Sequence, residues 1–232
     1  MLYIIGLGLN VDGISHYGLE TVKRCKRVYL ENYTIDFPYS EGELQDVIGK
    51  KIISANREKV ESLEIVDESK KMNVCLLVYG SPLFATTHVS LIQEAKRLGI
   101  KYKLIYSSSI FDALGETGLQ LYKFGKITSM PKFEANSFME VVQNNQKIEA
   151  HSLILIDIGL EPEKAFEKLW KAAKNYKLEL GKIIVCCRMG NRYQKIYYDT
   201  IKNLKEKEIQ KPYCIIIPSK LHFVEKEVLE NV

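Results

Sequence analysis

The sequence predicts an α/β protein of two α/β halves, built from buried strands that alternate with helices. Three observations carry that prediction. Short apolar runs such as residues 74–79 and 153–158 are continuous, not alternating, which marks strands covered on both faces. Segments between them carry helical spacing with capping residues at the start and glycine at the end, as in repeated βα units. The pattern lapses over residues 107–125 and then restarts, which divides the chain into residues 1–108 and 109–232.

In order, residues 2–7 form a short apolar strand ending in a glycine turn, 17–24 a helix and 27–31 a second strand. Residues 41–48 and 58–71 read as helices, with 54–57 as capping material for the second. Strand 74–79, helix 86–98 closed by Gly99, and strand 101–106 follow, giving a largely parallel sheet. The three serines 107–109 open a helix over 110–118. Beyond it come strand 126–130, helix 135–144, strand 153–158, helix 162–176 with Pro162 in its first turn, and strands 182–188 and 213–218. The sequence shows no repeat at solenoid spacing and no low-complexity segment.

Composition narrows the class. An apolar fraction of 46% with 27% charged residues is that of an ordinary globular protein, large enough to bury a core without disulfides. The net charge of +4 is spread over helices that carry Glu beside Lys, so they read as solvated faces, and no nucleic-acid partner is expected. The five cysteines are odd in number and lack CxxC spacing. They read as buried thiols in a reducing compartment, with no metal centre. No apolar run approaches the ~20 residues that span a bilayer, and the chain opens on a strand, not a signal peptide. The expected location is the cytoplasm, away from membranes.

Four constellations at strand ends could carry chemistry. Gly6-Leu7-Gly8-Leu9 follows the first strand as a dinucleotide fingerprint would, with Glu31 where a ribose-binding acid would stand. Val11 occupies the third glycine position and a loop precedes the helix, so the glycines mark a turn or the approach of some other ligand to bare backbone. Tyr79 to His88 is a strand-to-helix turn in which Pro82 fixes its own φ and Thr86-Thr87 can cap the helix; no triad partner can be placed beside His88. Ser107-Ser108-Ser109 offers hydroxyl and amide groups at a helix start, and Tyr122-Lys123-Phe124-Gly125 lies downstream. Arg188-Met189-Gly190-Asn191 ends a strand whose expected sheet neighbour is Ile156-Asp157-Ile158, so Asp157 and Arg188 either pair or serve a ligand. Four strand ends directed at one crevice are the usual geometry of a ligand site in α/β proteins.

Taken together, Ile5 to Leu9, Gly80 to His88, Ser109-Ile110 with Thr117-Gly118-Leu119 and Tyr122 to Gly125, Leu155 to Ile158, and Pro218 to Glu225 resemble the diphthine synthases from end to end. These are methyltransferases of diphthamide biosynthesis within the tetrapyrrole-methylase-like superfamily. The strings Ala85-Thr86-Thr87-His88, Tyr122 to Gly125 and Lys220-Leu221-His222 with Val224-Glu225 are specific to that family, whereas the glycine turn is shared across the superfamily.

The resemblance implies two α/β domains of the tetrapyrrole methylase type, with S-adenosyl-L-methionine held in the cleft between them, in a homodimer. Carried over by position, the donor contacts are Leu9, Ser81, Phe84, Ser109, Ile110, Ile156, Met189 and Tyr213. Two positions depart from the pattern: Ser81 stands where the family usually has Asp, and Tyr213 where a His is common. The expected acceptor is elongation factor 2 bearing a histidine extended by a 3-amino-3-carboxypropyl group, and the expected product is the trimethylated amine. Lys123, Arg188 and Lys220 are candidates to meet the acceptor's carboxylate. No catalytic side chain is assigned, because displacement at a sulfonium methyl needs a positioned amine and a dry pocket, not an enzyme nucleophile. Two other readings stay open at this point: a methyltransferase of a corrin or porphyrin precursor, and a chain that binds donor or elongation factor without catalysis.

Overall fold

The structure, a computed structural model, describes residues 1–232, which form two compact units, Met1–Ile110 and Phe111–Val232. In the first unit, β1 (Leu2–Gly6), β2 (Arg27–Glu31), β3 (Ile53–Ala55), β4 (Val74–Val78) and β5 (Tyr102–Ile105) form one sheet in the order β3-β2-β4-β1-β5. Every pairing is parallel. Alternate residues of β1 and β4 enter separate cores. Leu2, Ile4, Leu76 and Val78 pack with Leu91, Ile92 and Ala95 of helix Val89–Arg97 on one face. Ile5, Cys75 and Leu77 pack with Val22, Leu44 and Ile48 of helices His16–Arg24 and Glu41–Ile48 on the other. Both faces being covered is why these strands read as unbroken apolar runs, and each buried Leu or Ile contributes about 1.5–3 kcal/mol.

The second unit contains β6 (Thr128–Met130), β7 (Ser152–Ile156), β8 (Ile183–Cys187), β9 (Lys195–Asp199) and β10 (Tyr213–Ile217) in the order β6-β7-β10-β8-β9. The largely parallel sheet expected for the first half is not repeated here: only β6 and β7 are parallel, and β10 runs antiparallel to both its neighbours. Helices Ser137–Lys147 and Pro162–Asn175 cover one face with Phe138, Met139, Phe166 and Leu169. No helix is long and apolar enough to cross a membrane.

Local departures from the sequence pattern have tertiary causes. The helix expected over 58–71 is two short helices, Arg57–Glu61 and Glu64–Glu68, separated by Leu63 at φ 64°. A straight helix would turn Ile65 and Val66 away from the face of Val60, and the break lets all three enter one core. Over 110–118, a single α-turn Ile110–Ala113 passes into a 3-10 turn Leu114–Thr117 and stops at Gly118, φ 77°. A Cβ there would stand 2.5 Å from Val228. Edge strands β3 and β9 and helices Ile201–Leu204 and Phe223–Glu230 have no counterpart in the sequence reading. The β9 segment is exposed to half-buried throughout, so its apolar signal is weak.

Candidate functional site

In the first unit, parallel strands deliver their C-terminal ends to one edge of the sheet, as open α/β sheets do for ligands. Gly8 and Gly80 bridge there, Gly8 N donating to Gly80 O at 3.1 Å and Gly80 N to Gly8 O at 2.9 Å. A Cβ on Gly6 would stand 2.6 Å from Gly80 O, and one on Gly8, at φ 71°, 2.8 Å from Gly13 O. The glycines therefore let two strand-end turns close on each other with bare backbone. Leu9 is buried beside them, and its carbonyl accepts from the Tyr79 hydroxyl at 2.9 Å.

Ser81 and Phe84 are half-buried in a tight turn, Phe84 N donating to Ser81 O at 3.2 Å. The turn is held from within. Thr86 Oγ1 donates to the Pro82 carbonyl at 3.5 Å, and His88 Nδ1 lies 3.4 Å from the same oxygen. His88 N in turn donates to Thr86 Oγ1 at 3.4 Å. These contacts keep residues 81–88 out of the helix expected from Thr86, which starts at Val89 with His88 as its N-cap residue. Burial holds the His88 imidazole below its ordinary value, so it is neutral near pH 7. It acts as a brace for the turn, as its lack of a triad partner suggested. Ala85, at φ 54°, adds strain at the same turn. Ser107 Oγ donates to Gly13 O at 2.9 Å, and Ser109 is buried next to Ile110, the first residue of its short helix.

In the second unit, the antiparallel course of β10 gathers the remaining positions. Its first residue, Tyr213, pairs with Cys187 at the end of β8, and Cys214 pairs with Leu155 near the end of β7. Ile156, Met189 and Tyr213 thus share one edge of this sheet. Tyr213 donates its hydroxyl to Leu160 O at 3.1 Å. The expected neighbourhood of Asp157 and Arg188 is corrected here, because β10 lies between their strands. Asp157 accepts from Lys132 N and Ile158 N, while Arg188 Nε donates to Lys211 O at 2.8 Å. Arg188 has φ 47°, a left-handed conformation at a strand end, and Met189 behind it is buried.

Lys123 and Lys220 belong to a different construction. Lys123 Nζ donates to Glu225 Oε2 at 2.6 Å and to the Lys220 carbonyl at 3.0 Å. Glu225 also accepts from Gln120 N and His222 N, and from His151 Nε2 at 3.2 Å. Since His151 Nδ1 accepts from Ser219 N, the ring proton sits on Nε2 and the imidazole is neutral, its affinity for a second proton lowered by burial. Burial raises the Glu225 carboxyl, but Lys123 and the two amides outweigh it and hold it at about 2. Gly125 completes the arrangement: a Cβ there would overlap the Asn145 amide, which brackets the backbone of Lys126. Two strings separated by about a hundred residues are therefore one latch. The Lys220 ammonium lies on the surface, 3.7 Å from Glu149.

The sequence reading passed over residues 32–40, which follow β2. Phe37 and Tyr39 stack there against Tyr79. The aromatic pair flanking Pro38, just beyond a strand end, was the available signal.

The site groups suit S-adenosyl-L-methionine. Within the first unit they offer close-set backbone around Gly6, Gly8 and Gly80, hydroxyls at Ser81 and Ser109, and apolar side chains from Leu9, Phe84 and Ile110. A cationic donor with an apolar purine needs polar backbone and dry walls, and no opposing cation.

Comparison with known proteins places the chain in a family. Residues 1–205 match the family model of the tetrapyrrole (corrin/porphyrin) methylases. The chain is 38% identical to the diphthine synthase of Methanocaldococcus jannaschii, over 99% of this chain and 98% of that protein. It is 35% identical to the diphthine methyl ester synthase of Schizosaccharomyces pombe, over 99% of this chain and 93% of that protein. A diphthine synthase crystal structure superposes with a TM-score of 0.92 at 32% identity, covering 99% of this chain and 94% of that one. The chain belongs to the tetrapyrrole methylase family, with its two α/β sheets. Within that family it is an S-adenosyl-L-methionine-dependent methyltransferase, and its reaction is the methylation step of diphthamide biosynthesis.

Proposed function

We propose that the chain transfers three methyl groups to the amino nitrogen of a 3-amino-3-carboxypropyl-histidine on elongation factor 2. In this reading it works as a cytoplasmic homodimer, and the donor is held by Leu9, Ser81, Phe84, Ser109, Ile110, Ile156, Met189 and Tyr213. The observation that carries the reading is the glycine closure of two strand-end turns, because it sets backbone and the Ser81 hydroxyl at one fixed place. The bound donor supplies an electrophilic methyl group on a sulfonium. The residues do the rest by placement: Phe84 and Leu9 exclude water, and the braced 81–88 turn fixes the approach line of the amine. Each N–C bond made requires loss of one N–H proton, which leaves to solvent before the amine enters.

For the acceptor's carboxylate, Arg188 is the first candidate. It commits only Nε, to Lys211, and lies beside Met189 at a strand end, whereas the Lys123 ammonium is spent on Glu225 and the Lys220 carbonyl. Lys220 is exposed and ranks second.

A second reading extends the first. The name of the fission yeast relative refers to a methyl ester, so a fourth transfer, to the carboxylate, is the specific alternative. Intact-mass spectrometry of elongation factor 2 carrying the aminocarboxypropyl-histidine, incubated with the protein and donor, tests both. A gain of three methyl increments supports the proposal. A fourth increment lost in mild base identifies the ester, and no gain despite donor binding overturns the acceptor assignment.

A further inference from the structure

At one end of the second sheet the loops after β6, β7 and β8 lie side by side with the segment that enters β10, because β6 and β7 run together while β10 and then β8 reverse. Ile156, the last residue of β7, and Met189, just beyond β8, are at this end. Two aromatic side chains stand in solvent at its opposite margins: Phe133 beyond β6, 70% exposed, and Tyr193 ahead of β9, 54% exposed. Strand spacings of ~4.8 Å across β6-β7-β10-β8-β9 set those margins roughly 19 Å apart.

Both aromatic side chains sit on loops that are held still. Lys168 of helix Pro162–Asn175 is 8% exposed, and its ammonium donates to Pro131 O at 2.6 Å and to Phe133 O. Burying an ammonium is costly, and here it is answered by two carbonyls of one surface loop. From the side, Asp157 Oδ2 accepts from Lys132 N at 3.1 Å. The turn after β8 is closed from within: Tyr193 N donates to Asn191 Oδ1 at 2.9 Å, Gly190 N to Gln194 Oε1 at 2.8 Å, and Gln194 Nε2 to Glu116. Arg192 covers the Tyr193 ring at 4.8 Å. An exposed aromatic side chain that is already fixed loses little entropy when a partner protein covers it.

Charge narrows the partner. Residues 188–195 hold Arg188, Arg192 and Lys195 and no acid, and none of these three cations forms an ion pair within the chain. The carboxylate packed against this turn, Glu116, is taken by Gln194. A second copy of the same face would set like charges against each other. We propose that this end of the second sheet docks the protein acceptor, elongation factor 2, with Phe133 and Tyr193 as anchors and the 188–195 cations facing acidic side chains near the modified histidine, an assignment that rests on the methyltransferase reading given above. Lys168 is a positioning residue and acts through Phe133. These contacts lie outside the reacting side chain, so they govern acceptor binding and not donor binding.

Steady-state methylation of elongation factor 2 carrying the aminocarboxypropyl-histidine is the test. Phe133→Ser and Tyr193→Ser should each raise the acceptor KM about tenfold, with kcat at saturating acceptor within about twofold and donor Kd unchanged. Lys168→Met should raise KM as Phe133→Ser does, and the double variant should be no worse than either single one. Added salt should raise the wild-type KM more steeply than that of the Arg192→Ala, Lys195→Ala double variant. An unchanged KM in both serine variants, or an equal loss of donor affinity, overturns the proposal. A changed sedimentation mass in Phe133→Ser makes the face a contact between copies, and loss of the effects after nuclease treatment of the factor makes it an RNA contact; either result overturns the proposal. If Lys168→Met fails to fold, the variants at exposed positions decide. If the wild-type protein transfers no methyl group to the factor, the acceptor reading fails and binding of the factor by interferometry decides the face separately. Binding lost in Phe133→Ser supports the face, whereas binding retained there, or absent in the wild-type protein, overturns it.

Discussion

Ser81 stands in the turn that the glycines and the Thr86–His88 brace hold in place, and it presents a neutral hydroxyl there, not a carboxylate. A charged acceptor facing a cationic donor is worth more than a neutral one, by about 1.4 kcal/mol in a partly buried turn. Ser81→Asp should therefore tighten donor binding about tenfold in a calorimetric titration, with no change in melting temperature. Arg188→Ala should raise the KM for the protein acceptor about tenfold while donor Kd stays constant; an equal loss of donor affinity would make Arg188 structural. Glu225→Gln removes the charge that Lys123 answers in a largely buried setting. The cost should be about 3 kcal/mol by denaturant unfolding, and Glu225→Asp should recover part of it.

At the scale of elements, the two strand-end turns act as a pair, because neither can keep its course if the other moves. Gly6→Ala places a methyl group against Gly80 O and Pro82 Cδ, and backbone cannot give way as a flexible side chain would. The expected result is about 1–3 kcal/mol lost in stability and at least about tenfold in donor affinity, the affinity loss exceeding that of Gly49→Ala, which lies at a remote helix end with open space around it. Helix Phe223–Glu230 is tied to the 120–125 segment through Glu225, so the latch is a property of two elements and not of either alone. Its exposed start, where Phe223 stacks on His222, keeps an aromatic face in solvent beside Lys220.

Acid sensitivity belongs to the whole molecule. Glu225 has a folded pKa of about 2, below its unfolded value, so its contribution is present above about pH 4.5 and is lost as pH falls toward 2. His88 and His151 are held below their unfolded values by burial. The unfolded chain therefore binds more protons than the folded one below about pH 6.5, and stability falls there as well. Melting temperature should decline from pH 7 to pH 5, and His151→Gln with His88→Gln should flatten that slope; an unchanged slope would mean that neither ring stays neutral on folding. Sedimentation of the purified protein tests the homodimer, a mass near twice 26.7 kDa being the expected result.

The sequence by itself determined four of the five strands of the first sheet, all but the edge strand β3, since continuous apolar runs are what burial on two faces requires. It also determined helix Glu41–Ile48, which opens on a capping box, and helix Pro162–Asn175, which opens on a proline. The strand-end turns at Gly6–Leu9 and 79–88 were legible because glycine and proline restrict backbone locally. Strand order was decided only in the tertiary structure: nothing near Asp157 or Arg188 indicates that β10, from the far end of the chain, separates them and reverses direction. The same holds for Lys123, whose charge looked available for a substrate until Glu225, 102 residues away, was found beside it. Local propensities act over a few residues, whereas partners of buried charges and neighbours in a sheet are chosen by long-range packing, which no short stretch of sequence contains.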